Sequence, residues 1–168
     1  PDKNILTIAG DGGAYAIGLG ETTSAALRNE NVTMFVMNNT VFGMTGGQLA
    51  PTTMIGQKTA STPAGRNFVD NGENTDVFKL MKGMDIAYLA RTSVTSPANI
   101  NRTKKAVRKA IEKQQAGKGF SLVEVLVPCP TNWHMTPEGA HERIRTEMIP
   151  EIASVTQNAC QTPTAPKK

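Results

Sequence analysis

Apolar residues in the first part of this chain form two short runs that are separated by a longer segment of different character. Residues 4–9 and 31–37 are rich in β-branched and apolar side chains, and they end at Gly10 and Asn38, two residues typical of turns. The intervening residues 14–29 are helix formers and small residues. This order predicts a strand, a crossover helix and a second strand that is parallel to the first.

Regular patterns return in the second half of the chain. They predict a helix near residues 76–82, a strand at 86–91, a helix from about 97 to 116, a strand at 121–127 and a final helix from about 137 to 148. The third of these elements begins with Ser96-Pro97, an N-cap followed by proline at the first helical position. Its predicted inner face consists of Ile100, Val107, Ala110, Ile111 and Gln114. Strands that alternate with helices predict an α/β fold, with one mostly parallel sheet covered by helices on both faces.

Residues 40–72 lack periodicity, and glycine, threonine, proline and serine accumulate there. A segment of this length without predicted structure is unusual inside a compact domain. We therefore expect an active-site or partner-binding loop rather than a linker.

Composition places the chain among ordinary globular proteins. It has 168 residues, 39% of them hydrophobic, and only two cysteines, so one domain with a core is expected and a disulfide scaffold is excluded. No apolar run is long enough for a membrane span. These properties predict a soluble cytoplasmic protein, with one domain over residues 1–150 and a flexible polar tail over 151–168.

The net charge of +4 is concentrated in one segment. Residues 101–118 contain seven basic side chains and a single acid, Glu112. We expect these basic residues to form the solvated face of the helix, and the alternative is docking of an acidic protein or a phosphorylated cofactor. The chain has eight aromatic residues, and none lies among these charges, so binding to nucleic acid is not expected.

A glycine turn follows the first predicted strand, with the sequence Gly10-Asp11-Gly12-Gly13. Glycines at such a turn let backbone N–H groups approach an anion. Asp11 would repel a phosphate unless a cation lay between them. A dinucleotide fingerprint would require glycine at Tyr15, and the Gly-Lys-Ser/Thr of a Walker loop is absent, so neither motif applies.

The second strand ends at Asn38-Asn39, close in space to Asp11 if the two strands are neighbours. A carboxylate, an amide oxygen and a following backbone carbonyl would form an all-oxygen half-shell suited to Mg²⁺, which a diphosphate would complete. The alternative is a tight strand-to-helix turn and an asparagine-rich turn that bind no ligand.

The pair of motifs Gly10-Asp11-Gly12 and Asn38-Asn39, with the spacing they have here, resembles the signature of thiamine-diphosphate enzymes. Longer stretches resemble the β subunit of 2-oxoacid:ferredoxin oxidoreductases, and the resemblance covers about residues 5 to 150. The stretches that carry it are residues 10–18, 36–48, 50–53, 117–126 and 129–133. The last two of them, residues 117–126 and the Cys-Pro-Thr-Asn-Trp of residues 129–133, point to the 2-oxoisovalerate or 2-oxoglutarate branch.

The resemblance implies a thiamine-diphosphate-binding fold and a set of site residues. The Mg²⁺ ligands would be Asp11, the Asn39 side chain and the carbonyl of Val41. The cofactor-binding residues would be Asp11 and Asn39 through the metal, Gly10, Gly12 and Gly13 along the diphosphate, and Thr45, Gly46, Gly47 and Gln48 beside the cofactor and substrate. Many family members have a second aspartate where this chain has Gly13, which should matter little because Asp11 is the expected ligand. No residue of this chain is expected to act as a catalytic acid or base.

Cys129, between two prolines, would on its own be read as a buried thiol. The resemblance makes it a candidate ligand of a [4Fe–4S] cluster, which normally needs four cysteines. The chain offers only Cys160 besides, so it cannot build the cluster alone. His134 and His141 are expected to be surface or capping residues, and Trp133 is expected to contribute packing near the cluster.

The resemblance also implies an activity. The complete enzyme would oxidatively decarboxylate a 2-oxoacid to acyl-CoA and CO₂, and electrons would pass through iron–sulfur clusters to ferredoxin. The implied partner is an α subunit that carries the pyrimidine-binding domain, with γ and δ subunits as further candidates. The alternatives are a fragment of a non-redox thiamine-dependent decarboxylase or synthase, against which Cys129 and residues 43–48 speak, and a non-catalytic binding or assembly module.

The glycine turn arrives after a single strand, whereas family members carry a sizeable segment before it. We therefore expect the chain to be the C-terminal portion of a β subunit, with a fold that is incomplete at the N-terminus. An exposed sheet face or edge, marginal stability and no independent catalysis are the consequences.

Overall fold

The computed structural model describes residues 3–81 and 83–152. Its strands are β1 (Leu6–Gly10), β2 (Thr33–Asn38), β3 (Val41–Phe42), β4 (Gln48–Leu49), β5 (Tyr88–Ser93) and β6 (Ser121–Leu126). Four of them form one parallel sheet in the order β1-β2-β6-β5, and β3 and β4 pair as a small antiparallel hairpin. The predicted parallel sheet is confirmed, and the strand predicted at residues 86–91 lies two residues further along.

The helices are α1 (Leu19–Leu27), α2 (Phe68–Asn71), α3 (Val77–Met81), α4 (Pro97–Gln115), α5 (Pro130–Trp133), α6 (Pro137–Arg143) and α7 (Ile149–Ile152). Two π-helical turns, Gly13–Ile17 and Ile144–Met148, interrupt what the pattern predicted as continuous helices over residues 14–29 and 137–148. A π-turn inserts an extra residue into a helical turn and often occurs at functional sites. The first one begins at Gly13, the last residue of the glycine turn.

Helix α4 agrees with its prediction at both ends. The Ser96 hydroxyl accepts the Asn99 N–H at 3.2 Å, and Pro97 occupies the first turn. Its most buried positions are Ala106, Ala110 and Gln114. The prediction that Ile100 belongs to the inner face is wrong: Ile100 lies in the first turn of α4 and is 38% exposed, and the buried positions begin only at Ala106.

The core has two layers that lie on opposite faces of the sheet. On one face Tyr15, Val36 and Phe120 pack with α1 and α3, and on the other Phe35 and Val123 pack against α4. A third cluster, at the carboxyl ends of the strands, gathers Trp133 with apolar residues of α6, α7 and the second π-turn. The predicted fold class, a sheet with helices on both faces, is confirmed.

The segment 40–72 is ordered around one buried cation. The Arg66 guanidinium, 5% exposed, donates to six backbone carbonyls: Ala50, Pro51, Thr53, Asn71, Gly72 and Glu73. A guanidinium presents its five N–H donors in a fixed plane, so it can fix two stretches of backbone, residues 50–53 and the end of α2 at 71–73. The loop therefore has a defined shape despite its lack of periodicity.

Strand β1 forms one edge of the sheet among the described residues. Its side chains Leu6 and Ile8 are 47% and 75% exposed, and Ile17 in the following turn is 83% exposed. Three apolar side chains are therefore exposed along and just after this edge strand.

The end of the described chain lies two residues beyond the predicted domain boundary at 150. Helix α7 runs to Ile152, which is buried. The rest of the predicted tail, residues 153–168, lies outside the described residues. Within residues 3–81 and 83–152, no helix combines the length and the hydropathy that a bilayer span requires.

Candidate functional site

Asp11 lies directly after β1 and is almost completely buried, with 1% of its surface exposed. Its carboxylate accepts the hydroxyl of Thr52 and lies close enough to the backbone N–H groups of Gly12 and Asn39 for them to lower its pKa. Burial raises the pKa of Asp11 to about 6, against the lowering effect of these hydrogen bonds. The pairing of β1 with β2, which sets Gly10 beside Met37, brings Asp11 and Asn39 to the same edge of the sheet, as the parallel arrangement predicted.

The turn after β2 is shaped by the two asparagine side chains. Asn38 Oδ1 accepts the Thr40 N–H at 3.0 Å, and Asn39 Oδ1 accepts the Val41 N–H at 3.2 Å. Thr40 has a φ of 63°, a left-handed conformation that is uncommon for threonine. The asparagine side chains therefore supply local hydrogen bonds that stabilise an otherwise unfavourable turn.

Contacts from distant parts of the chain hold the same turn. The Thr53 hydroxyl donates to the Thr40 carbonyl at 2.6 Å, and the Trp133 indole Nε1 donates to the Asn39 carbonyl at 3.1 Å. Trp133 is buried, and the Arg143 guanidinium stacks over its ring at 4.5 Å. The expected packing role of Trp133 is thus specific: it fixes the backbone of Asn39.

The glycine turn is closely packed on one side and open on the other. A Cβ atom at Gly12 would collide with the ring of Phe42, whereas Gly10 and Gly13 are exposed. The turn therefore requires glycine at position 12 for a steric reason. The exposed backbone at positions 10 and 13 is the part that a ligand could approach.

The loop that carries Thr45, Gly46, Gly47 and Gln48 folds on itself. Thr45 Oγ1 donates to Gln48 Oε1 at 2.6 Å, and Gln48 Nε2 donates to the Thr45 carbonyl at 2.8 Å. Gly47 has a φ of 82°, and a Cβ there would lie 2.9 Å from Asn132 Oδ1. The structure thus brings this loop next to Asn132 and leaves the Thr45 side chain exposed.

Cys129 is a half-buried free thiol that lies beside this loop. The Asn132 side-chain amide donates to its sulfur at 3.2 Å and to the Gly43 carbonyl at 3.0 Å. The two histidines are peripheral: His134 is exposed and caps α5 in a left-handed conformation, and His141 is half-buried in α6. Asn132 therefore connects the cysteine to the glycine-rich loop.

A network of buried charges lies under the asparagine turn. Glu124 in β6, 1% exposed, accepts Asn38 Nδ2 at 2.9 Å and pairs with Arg91 of β5. Arg91 also pairs with Asp76 at 2.7 Å and stacks on Phe78 at 4.4 Å. Burial alone would lower the pKa of Arg91, but Glu124 and Asp76 raise it above its ordinary value. Glu124 thus links the central strand to the turn that carries Asn39.

This arrangement supplies oxygen donors of the kind that Mg²⁺ prefers. Asp11 provides one buried carboxylate, and the neighbouring turn provides amide and carbonyl oxygens. Among residues 3–81 and 83–152 no group of three His, Cys, Asp or Glu side chains could hold a metal ion. A cation bound at Asp11 would therefore need amide and carbonyl oxygens of the protein, together with oxygens from a bound small molecule, to complete its coordination.

The sequence did not single out three side chains that organise this site. Thr52 and Asn132 come from segments without periodicity, although both lie in stretches that carry the family resemblance. Glu124 lies in a strand whose other buried side chains are mainly apolar. An acid at such a position indicates a buried cation or hydrogen-bond donor as its partner, and this was the signal the sequence offered.

Comparison with known proteins identifies the class. The family model for the C-terminal TPP-binding domain of thiamine pyrophosphate (thiamine diphosphate) enzymes matches residues 1–125. The chain belongs to this family. The resemblance inferred from its motifs is confirmed by the relatives that it matches.

The chain is 43% identical over 149 residues to ketoisovalerate oxidoreductase subunit VorA of Methanothermobacter marburgensis, covering 88% of this chain and 31% of that protein. It is 39% identical over 138 residues to 2-oxoglutarate synthase subunit KorB of Archaeoglobus fulgidus, and this match covers 82% of this chain and 47% of that protein. A solved structure of 2-oxoglutarate:ferredoxin oxidoreductase from Magnetococcus marinus, with 2-oxoglutarate, coenzyme A and succinyl-CoA bound, is also similar. It superposes with a TM-score of 0.62 at 26% identity, and the match covers 81% of this chain and 42% of that chain. The chain thus spans less than half the length of each.

Proposed function

We propose that this chain is the thiamine-diphosphate- and Mg²⁺-binding part of a β subunit in a 2-oxoacid:ferredoxin oxidoreductase. The enzyme converts a 2-oxoacid and CoA into acyl-CoA and CO₂ and passes the electrons through iron–sulfur clusters to ferredoxin. The observation that carries the proposal is the parallel pairing of β1 with β2, which places the buried Asp11 carboxylate and the Asn38-Asn39 turn at the same edge of the sheet. The similarity to the VorA and KorB subunits supports the same assignment.

The residues present fit the cofactor. A buried carboxylate at the same sheet edge as a turn that offers amide and carbonyl oxygens is a suitable partial shell for Mg²⁺, and the exposed Gly10 and Gly13 leave room for a diphosphate. In this proposal Asp11, the Asn39 side chain and the Val41 carbonyl hold the cation, while Gly10, Gly12 and Gly13 line the diphosphate. When bound, thiamine diphosphate supplies the nucleophilic carbon and the electron sink for decarboxylation.

The chain's other residues bind and orient. Thr45, Gly46, Gly47 and Gln48 lie beside the cofactor and substrate, in a loop that Asn132 holds against Cys129. Cys129 serves as one ligand of a [4Fe–4S] cluster whose other cysteines come from elsewhere in the complete subunit or complex. The amide of Asn132, which donates to the Cys129 sulfur, would stabilise thiolate charge.

The proposal includes an incomplete domain over residues 1–150, an α subunit that carries the pyrimidine-binding domain, and further γ and δ subunits. The exposed apolar side chains of β1 provide a surface that the preceding part of a β subunit would cover. Ferredoxin, CoA and a 2-oxoacid are the remaining partners. A cytoplasmic location agrees with the free thiol of Cys129.

The experiment that tests this activity uses the chain within its complete β subunit, co-expressed with the α subunit and reconstituted with iron and sulfide. Reduction of a low-potential dye should require a 2-oxoacid, CoA and thiamine diphosphate together. An Asn39→Ala variant should lose this activity, and an Asn101→Ala variant, altered on the exposed surface of α4, should retain it.

The alternatives give different outcomes in the same assay. CO₂ release without dye reduction would indicate a non-redox thiamine enzyme. A complex that assembles normally but shows neither reaction would indicate a non-catalytic module. Dye reduction that is indifferent to CoA would contradict the proposed acyl transfer.

A further inference from the structure

A groove runs along the outer edge of β5. Five consecutive residues of this strand, 88–92, line a cavity of about 240 Å³. Successive residues of a strand point to opposite faces, so a cavity that all five line follows the edge of the strand rather than one face. Within the part of the chain that the structure describes, β5 is the last strand on this side of the sheet. Its outer backbone groups therefore face the groove.

The two walls of the groove differ in character. Helix α4 contributes Arg102, Lys105, Ala106 and Lys109, whose spacing places them on a single helical stripe. The opposite wall is the ring of Phe78. The Lys109 ammonium lies 5.0 Å from the centre of the Tyr88 ring, in a cation–π contact. The groove thus has an apolar floor and one positively charged rim.

The positive charge of this rim is not neutralised by acids in the described residues. Arg102, Lys105 and Lys109 take part in none of the ion pairs within residues 3–81 and 83–152. Arg102 contacts only a neutral group, the side-chain oxygen of Asn99 at 3.4 Å. Other cations of the same helix, Lys104 and Arg108, are exposed and do not line the groove.

We propose that this groove binds an extended acidic segment of a partner protein, which adds to the β5 edge as a further strand. Backbone groups of β5 pair with the segment, and its carboxylates contact Arg102, Lys105 and Lys109. The strand edge favours a peptide over a small phosphorylated ligand, because five consecutive residues of one strand line the groove. The expectation that the basic face of α4 is only solvated is thereby refined, because three of its cations line a binding groove.

Charge disfavours two other occupants. Residues 153–168 of this chain contain no aspartate or glutamate and end in Lys167 and Lys168. A second copy of the chain would place two positive rims against each other. The proposal does not depend on cofactor binding or on catalysis.

The test uses the 168-residue chain and a fluorescent peptide of about eight residues in which glutamate alternates with threonine. A matched peptide has glutamine in place of each glutamate. Anisotropy at low ionic strength measures binding, and hydrogen exchange measures protection of amides in residues 88–93. The acidic peptide should bind saturably and slow exchange in β5, and the glutamine peptide should bind at least about tenfold more weakly.

Two double variants locate the site. Lys105→Gln/Lys109→Gln should weaken binding at least about fivefold, whereas Lys104→Gln/Arg108→Gln, which removes the same charge outside the groove, should change it less than about twofold. Equal weakening by both pairs, or no saturable binding, would overturn the proposal. Displacement of the peptide by inorganic tripolyphosphate without protection of β5 would replace it with a small-anion site.

Discussion

Thr52 donates its hydroxyl to the buried carboxylate of Asp11, and so joins a loop without regular structure to the end of the first strand. This contact stabilises the charged form of a carboxylate whose pKa burial has raised to about 6. The loop therefore contributes to the charge of the proposed metal ligand as well as to its position.

Replacing Thr52 with valine keeps the shape of the side chain and removes the donor. We expect the pKa of Asp11 to rise further and stability at neutral pH to fall by about 1 to 3 kcal/mol, because a buried acceptor loses its partner. Urea denaturation and Mg²⁺ titrations at several pH values measure both effects. Thr52→Ser should restore wild-type behaviour, and a valine variant indistinguishable from wild type would show that the contact has no such role.

The raised pKa of Asp11 predicts a specific pH dependence. The folded, metal-free chain binds a proton at Asp11 up to pH about 6, whereas the unfolded chain releases it near the ordinary value of 3.8. Stability without metal should therefore decrease as pH rises from about 4 to 6, by at most about 3 kcal/mol. Mg²⁺ requires the charged carboxylate, so its apparent affinity should fall about tenfold for each pH unit below 6.

Denaturation with and without Mg²⁺ across this range tests that dependence. Asp11→Asn is the control, since an amide does not titrate and the pH slope from this position should disappear. A slope that persists in Asp11→Asn would assign the titration to another group.

The buried charges under the asparagine turn should tolerate paired changes better than single ones. Arg91→Met leaves Glu124 and Asp76 without their cation, at an expected cost of about 3 to 5 kcal/mol. Adding Glu124→Gln should recover part of the loss, because the amide oxygen can still accept from Asn38. Arg145→Met, which breaks an exposed pair with Glu142, should cost less than about 1 kcal/mol.

Chemical denaturation of the four proteins provides the comparison. A double variant as unstable as Arg91→Met alone would mean that the uncompensated charge of Glu124 is not the source of the loss.

Gly12 is expected to be intolerant of any side chain. Gly12→Ala places a Cβ against the ring of Phe42, with an expected cost of about 1 to 3 kcal/mol and weaker cofactor binding. Gly20→Ala in α1 meets no atom within 4 Å and should be neutral or stabilising by up to about 1 kcal/mol. Phe42→Leu should rescue Gly12→Ala, and failure of that rescue would point to the backbone rather than to the ring.

The sequence was sufficient for those parts of the fold and site that follow from local pattern. Parallel strands that end on one edge placed Asp11 beside Asn39, and Ser96-Pro97 located the start of α4. Thr52 and Asn132 were missed because they reach the site through tertiary contacts of aperiodic segments. The π-turn at residues 13–17 and the exposure of Ile100 likewise depend on how helices meet the sheet, which spacing alone does not specify.

Arg66 is a further residue whose role could not be predicted from local sequence patterns. An arginine in an aperiodic segment gave no sequence signal of burial, yet it donates to six carbonyls and gives residues 40–72 their shape. Long-range hydrogen bonds of this kind are decided by the folded backbone and are not encoded in a local pattern.

The most direct test of the account is calorimetric titration of the chain with thiamine diphosphate in the presence and absence of Mg²⁺, for wild type and Asp11→Asn. We predict binding that requires Mg²⁺ in the wild type and is lost or weakened at least about a hundredfold in Asp11→Asn. Binding by the wild type that survives unchanged in Asp11→Asn, or that is indifferent to Mg²⁺, would contradict the role of Asp11 as the metal ligand.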